Sequence, residues 1–127
     1  KNNTMKNFTN KLVKITDILN SNFEGCTIDS DLNKPIKRYI VGGFSTEDSF
    51  KFCPANLRGQ KIFDFVENQF TKVESEKLYF GIWYDKTNNH IYIDVCKGFN
   101  DLNLAKKASS KNKQICLFDS VNKIEIY

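Results

Sequence analysis

The stretch Lys77-Leu78-Tyr79-Phe80-Gly81-Ile82-Trp83-Tyr84, followed by Asp85-Lys86-Thr87-Asn88-Asn89 and then His90-Ile91-Tyr92-Ile93-Asp94-Val95-Cys96, decides the fold. Its two outer runs are dense in aromatic and β-branched residues, and the segment between them consists of turn formers, so the whole predicts a β-hairpin. With Asp85 opposite His90 across a four-residue loop, every cross-strand pair sums to 175 and the two faces separate. Leu78, Phe80, Ile82, Tyr84, Ile91, Ile93 and Val95 share one face, which is apolar and therefore core. The other face pairs Tyr79 with Cys96, Gly81 with Asp94, Trp83 with Tyr92, and Asp85 with His90. A slip of one residue would mix the two groups, and this fixes the register.

Upstream of the hairpin, Met5, Phe8, Leu12, Ile15 and Leu19 recur at helical spacing and predict an amphipathic helix over 5–20; Ile62, Val66, Phe70 and Val73 predict a second over 61–74. The first is too short for the three or four heptads of a coiled coil, so it is expected to pack on the domain's own sheet, with a dimer through helix 5–20 as the alternative. Asn20 to Pro35 reads as loop, and Lys37 to Val41 as a strand closed by Gly42-Gly43. Ser45 with Asp48 suggests a helical turn near 46–52, stopped by Pro54, and Cys53 to Gln60 reads as connector.

Downstream, Asn100 or Asp101 can cap a helix over 101–109 through Leu102, Ala105 and Ala108. Gln114 to Phe118 and Ile124 to Tyr127 are the remaining strands. The crossover from the 90–96 strand through this helix is long enough to bring the 114–118 strand back parallel. The expectation is a single α+β domain over 1–127, a mixed and mainly antiparallel sheet of about five strands packed with two or three helices. Residues 1–4 precede the only Met and are set aside.

Composition narrows the function classes. The chain has 127 residues, 40% of them hydrophobic and 13% aromatic, which excludes a disordered chain and a two-domain cofactor enzyme. No run approaches the ~18 apolar residues of a membrane span and the start has no apolar signal core, so no membrane partner and a cytoplasmic location are expected. Cys26, Cys53, Cys96 and Cys116 lack close pairing and there is one His, so neither a zinc site nor any other metal or cofactor is expected, and the cysteines read as reduced. The net charge of +4 is local: residues 1–14 carry +4, and residues 97–113, with Lys97, Lys106, Lys107, Lys111 and Lys113 against Asp101, carry +4 again. Such a segment is either a solvated helix face or an unspecific contact to nucleic acid, since only two of the nineteen basic residues are the Arg that favours base readout.

A catalytic reading starts from His90, which the register sets across from Asp85 as base and orienter, with Asp94 as another acid nearby; a hairpin mouth offers little enclosure for such a pair. Arg38, Ser45-Thr46 and Glu74-Ser75-Glu76 lack the spacing of ADP-ribosyltransferases, and Gly42-Gly43 lacks the rest of a phosphate loop. A binding reading starts from Tyr79, Trp83, Tyr92 and Asp94 on the second hairpin face. If a helix covers that face, the aromatics are core; if it is open, they form a recognition platform. Asp94 favours the open arrangement, because a carboxylate is costly to bury alone.

The order Gly81-Ile82-Trp83, Ile91-Tyr92-Ile93-Asp94-Val95, Asp101-Leu102 leading into Ala105, Gln114-Ile115-Cys116-Leu117-Phe118-Asp119 and Glu125-Ile126 resembles small proteins of phages and other mobile elements. The resemblance covers about the last third of the chain and brings no functional residue with it. It implies a cytoplasmic protein acting in a bacterial cell against a host nucleic-acid-targeting defence. The expected function is a non-enzymatic binding protein engaging a host protein or nucleoprotein complex, through the aromatic hairpin face or the Lys97–Lys113 segment. The alternatives are a small nuclease or hydrolase built on His90 with Asp85 or Asp94, and an unspecific nucleic-acid-binding module.

Overall fold

The computed structural model describes residues 2–21, 25–48, 50–52 and 60–127. Their order is α1 (Asn2–Ser21), β1 (Gly25–Ile28), β2 (Tyr39–Val41), β3 (Phe50–Phe52), α2 (Gln60–Glu76), β4 (Tyr79–Asp85), β5 (His90–Phe99), α3 (Leu102–Lys111), β6 (Leu117–Asp119) and β7 (Ile124–Ile126). Helical periodicity directs packing as expected: Leu12, Ile15 and Leu19 of α1 join Ile62, Phe65, Val66, Phe70 and Val73 of α2 in one buried cluster. The Phe8 ring meets Phe70 edge-on at 4.5 Å. Leu12, Ile15 and Leu19 of α1 thus lie in the domain's own core. Asp101 caps α3, its Oδ1 accepting the Leu104 N–H at 3.1 Å.

The hairpin register holds throughout, from Tyr79 opposite Cys96 to Asp85 opposite His90. Strand order is β1-β4-β5-β2-β6-β7, with β3 also on β5, and each of these pairings is antiparallel. Because β2 is antiparallel to both β5 and β6, those two run parallel with β2 between them. The crossover through α3 has the expected direction, but its strands are separated rather than adjacent.

The α+β class and mainly antiparallel sheet are as expected, with seven strands among the described residues where about five were expected. The stretch 20–35, expected as loop, contains β1, and the expected turn of helix near 46–52 ends instead in β3. Long-range pairing decides both: β1 completes the outer edge of β4, and β3 occupies the edge of β5 opposite Ile91 to Ile93. The turn of helix is also pre-empted by Gln69, a fully buried side chain of α2 that accepts the Thr46 N–H at 2.8 Å and donates to Thr46 Oγ1 at 2.8 Å. The connector 53–59 lies outside the described residues.

β2 and β3 share one edge of β5, and residues 42–48 leave that edge between them. Two bonds bridge the gap: Phe44 N–H donates to the Val95 carbonyl at 3.0 Å, and Gly43 N–H to Asp94 Oδ2 at 2.7 Å. The departure needs glycine. A Cβ at Gly42 would lie 2.7 Å from Asp94 Oδ2 and 2.9 Å from Gln114 Oε1, and Gly43 has φ +84°. The Gln114 amide can swing aside, whereas the Asp94 carboxylate is held by its two backbone N–H bonds. Gly42→Ala is expected to cost about 1–3 kcal/mol of stability, read as a lower urea midpoint at unchanged slope.

At the far end of the sheet, the buried Asp119 accepts from Arg38 Nε and Nη2, both at 2.9 Å, from Val121 N at 3.0 Å and from Asn122 N and Nδ2, both at 3.2 Å. These bonds fasten the start of β2 to the β6–β7 turn. Hydrogen bonding to the Arg38 guanidinium, with the backbone N–H groups, holds the Asp119 carboxyl down at about 2. A carboxyl held low stabilises the fold above its unfolded value of 3.8, and that contribution disappears as pH falls through about 2. Asp119→Asn is therefore expected to be less stable than the wild type at neutral pH, with the gap closing between about pH 4 and pH 2. Parallel urea titrations across that range give the difference directly, since the other carboxylates cancel in it.

On β5, Ile91, Ile93 and Val95 face the α1–α2 cluster, and Phe99 on the same face joins Tyr39, Val41 and Leu117 beneath α3. All three helices therefore lie on one side of the sheet. Among the described residues no helix covers the other side.

Candidate functional site

The open side of the hairpin carries the even-numbered residues of β5 and the odd-numbered residues of β4. Strand pairing places Trp83 opposite Tyr92, and their rings stack 5.4 Å apart at 30°. The His90 ring stands edge-on to Tyr92, with centroids 6.5 Å apart. Trp83 is 46% exposed, a large value for the largest apolar side chain in the middle of a strand. Lys51 of β3 faces Tyr92 from the opposite edge and is exposed. Trp83, Tyr92, His90 and Lys51 thus form a continuous strip across β4, β5 and β3.

The remaining residues expected on this face serve the fold. Tyr79 lies over Gly98, where an added Cβ would come within 3.3 Å of Tyr79 Cε2. The Cys96 sulfur fills the slot over Gly81, 2.7 Å from where its Cβ would be. Asp94 is half-buried, and its carboxylate accepts the N–H groups of Gly43 at 2.7 Å and Val95 at 2.8 Å. Burial pushes its pKa up, and those N–H bonds pull the other way. Asp94 is thereby the clamp on the 42–48 departure, with an environment that answers the cost of burying a carboxylate.

His90 and Asp85 stand opposite one another, but the Asp85 carboxylate is occupied by the turn. It accepts from Thr87 N at 3.0 Å, Asn88 N at 3.4 Å and Asn88 Nδ2 at 2.9 Å. The Asn88 side chain, ahead of these backbone bonds and the charge of His90, holds the Asp85 pKa down. Among the described residues no hydrogen bond joins the two side chains. Asp94 is four residues from His90 along the strand, roughly 13 Å at strand rise, out of reach for a dyad. Among the described residues the thiols are held protonated: burial pushes Cys26 and Cys116 up to about 11, the latter assisted by Glu125, and raises Cys96 as well; Cys53 lies outside the described residues. Among the described residues no three His, Cys, Asp or Glu side chains are grouped to hold a metal ion, and no helix is long and apolar enough to cross a membrane.

The basic residues lie elsewhere. Lys106, Lys107 and Lys111 project from the outer face of α3, Lys113 follows its last turn with φ 55°, and Lys97 sits with its Nζ 5.5 Å and 5.9 Å from the Phe99 and Phe44 ring centroids. All are on the helical side of the sheet. The aromatic and basic residues therefore divide between two opposite surfaces. Lys51 is not among the contact residues expected from sequence, because its segment reads as a helical turn and Phe50-Lys51-Phe52 is too short to carry a strand period.

Comparison with known proteins finds no family model, no curated protein and no solved structure that matches this chain.

Proposed function

We propose that this protein is a non-enzymatic binding protein whose contact surface is the strip formed by Trp83, Tyr92, His90 and Lys51. The observation that carries this reading is the 46% exposure of Trp83, stacked on Tyr92 on the side of the sheet opposite the helices. Rigid aromatic side chains on a strand offer large contact area at little cost in side-chain entropy, which is why Trp and Tyr dominate interface hot spots. A protein surface suits the strip better than a single nucleic-acid strand, whose phosphates need a basic track beside the stacked bases. Here the concentrated lysines lie on the other side. On the resemblance of the C-terminal third, the partner is a host protein or nucleoprotein complex of a bacterial cell, and binding it obstructs a nucleic-acid-targeting defence.

The test is capture from nuclease-treated bacterial lysate on immobilised wild type, Trp83→Ala and Lys106→Ala/Lys107→Ala, followed by affinity measurement with the captured partner. The partner is expected on the wild type and on the lysine variant and to be lost on Trp83→Ala. Equal capture by all three would remove the strip as the contact surface.

A further inference from the structure

We propose that the outer face of α3, with Lys106, Lys107 and Lys111 extended by Lys97 and Lys113, is a second contact surface that takes the phosphate backbone of a nucleic-acid duplex. Asn103, Lys106, Lys107, Ser110 and Lys111 fall at positions i, i+3, i+4, i+7 and i+8, a single stripe on one face. The opposite face is held against the sheet by buried Ala105 and Ser109 and partly buried Leu102 and Ala108.

The ends of the stripe are joined to the other two lysines by the fold. Asn112 Nδ2 donates to the Gly42 carbonyl at 3.0 Å, and the neighbouring Val41 pairs with Lys97. The C-terminal end of α3, Lys113 and Lys97 therefore meet around the same segment of chain.

This charge has no internal counterpart. The ion pairs among the described residues are Lys11 with Asp31, Arg38 with Asp119 and Lys72 with Glu76, and none involves these five lysines. Asp101, the only acid between residues 97 and 113, has its carboxylate turned to the helix cap. Salt-bridged surface helices alternate their charges; this one presents a single sign with amide and hydroxyl groups between the lysines. Such a surface fits a polyanion approached through its backbone, where ammonium groups supply charge and polar side chains supply hydrogen bonds. The ten-residue helix is about 15 Å long and would lie along a stretch of duplex carrying about nine phosphates, enough to engage all five lysines. An anionic membrane is the poorer fit, because interfacial helices insert an apolar face and that of α3 is occupied by the sheet.

The experiment is fluorescence anisotropy of a labelled 20-base-pair DNA duplex of mixed sequence, titrated with the protein at 50 and 200 mM salt. Five contacts predict an affinity loss of about 500-fold between those concentrations, and Lys106→Gln/Lys107→Gln/Lys111→Gln, with two contacts left, one of about 12-fold. Trp83→Ala is expected to keep the wild-type salt dependence, so failure here and failure of the aromatic strip can be told apart. Absence of duplex binding at 50 mM salt would overturn the proposal, as would a triple variant with undiminished salt dependence and an unchanged melting curve. Binding to phosphatidylserine vesicles in place of the duplex would overturn it too.

Discussion

Trp83→Ala is expected to weaken binding to the captured partner by about 30-fold or more, the loss of about 2 kcal/mol that marks a hot-spot residue. The side chain is 46% exposed, so its removal leaves no enclosed cavity. What the fold loses is the stacked contact with Tyr92, worth about 0.5–1.5 kcal/mol. Binding and stability are therefore expected to separate: a large rise in Kd beside a small drop in urea midpoint. Calorimetric titration and urea unfolding on the same preparation measure both. Affinity unchanged in a folded Trp83→Ala protein would show that the contact lies elsewhere.

Phe80, three residues earlier on the same strand, is expected to give the reverse. Its side chain is fully buried, and its cross-strand partner Val95 belongs to the same cluster as Leu12 of α1 and Phe70 of α2. Phe80→Ala removes that burial and opens a cavity between sheet and helices, at a cost of about 3–5 kcal/mol. A domain of this size has a total stability of only about 5–15 kcal/mol. Urea unfolding is expected to show a much lower midpoint with a similar slope, and where the variant remains folded its Kd is expected to stay near that of the wild type. The alternation of β4 thus places the two largest effects, on opposite measurements, within four residues.

That alternation is why the hairpin could be read from sequence. Long runs with a period of two, a turn of polar residues and one apolar face leave a single consistent register. The three helices were legible for the same reason, through sustained periodicity and the Asp101 cap. β1 and β3 were not, because Gly25-Cys26-Thr27-Ile28 and Phe50-Lys51-Phe52 are too short to carry a period. Their strand character comes from partners 56 and 43 residues away, as in the pairs Cys26–Ile82 and Phe50–Ile93. The same limit applies to the contact surfaces. Sequence identified the aromatics and the lysines, but which side of the sheet each occupies depends on where α3 packs. The role of Asp94 was hidden in a similar way, since its N–H donor Gly43 lies 51 residues away.

The pairing pattern also bears on how the chain assembles as it is synthesised. β1, β2 and β3 emerge first, yet none of them pairs with another: β1 needs β4, and both β2 and β3 need β5. When residue 76 leaves the ribosome, two helices and three strand segments have been made among the described residues, and none of the pairings described for the sheet can yet exist. The hairpin formed by β4 and β5 is then the template on which earlier and later segments are collected. At roughly 5–20 residues per second, the first three strands wait several seconds for residues 79–99, and during that interval their unpaired edges are open to other chains.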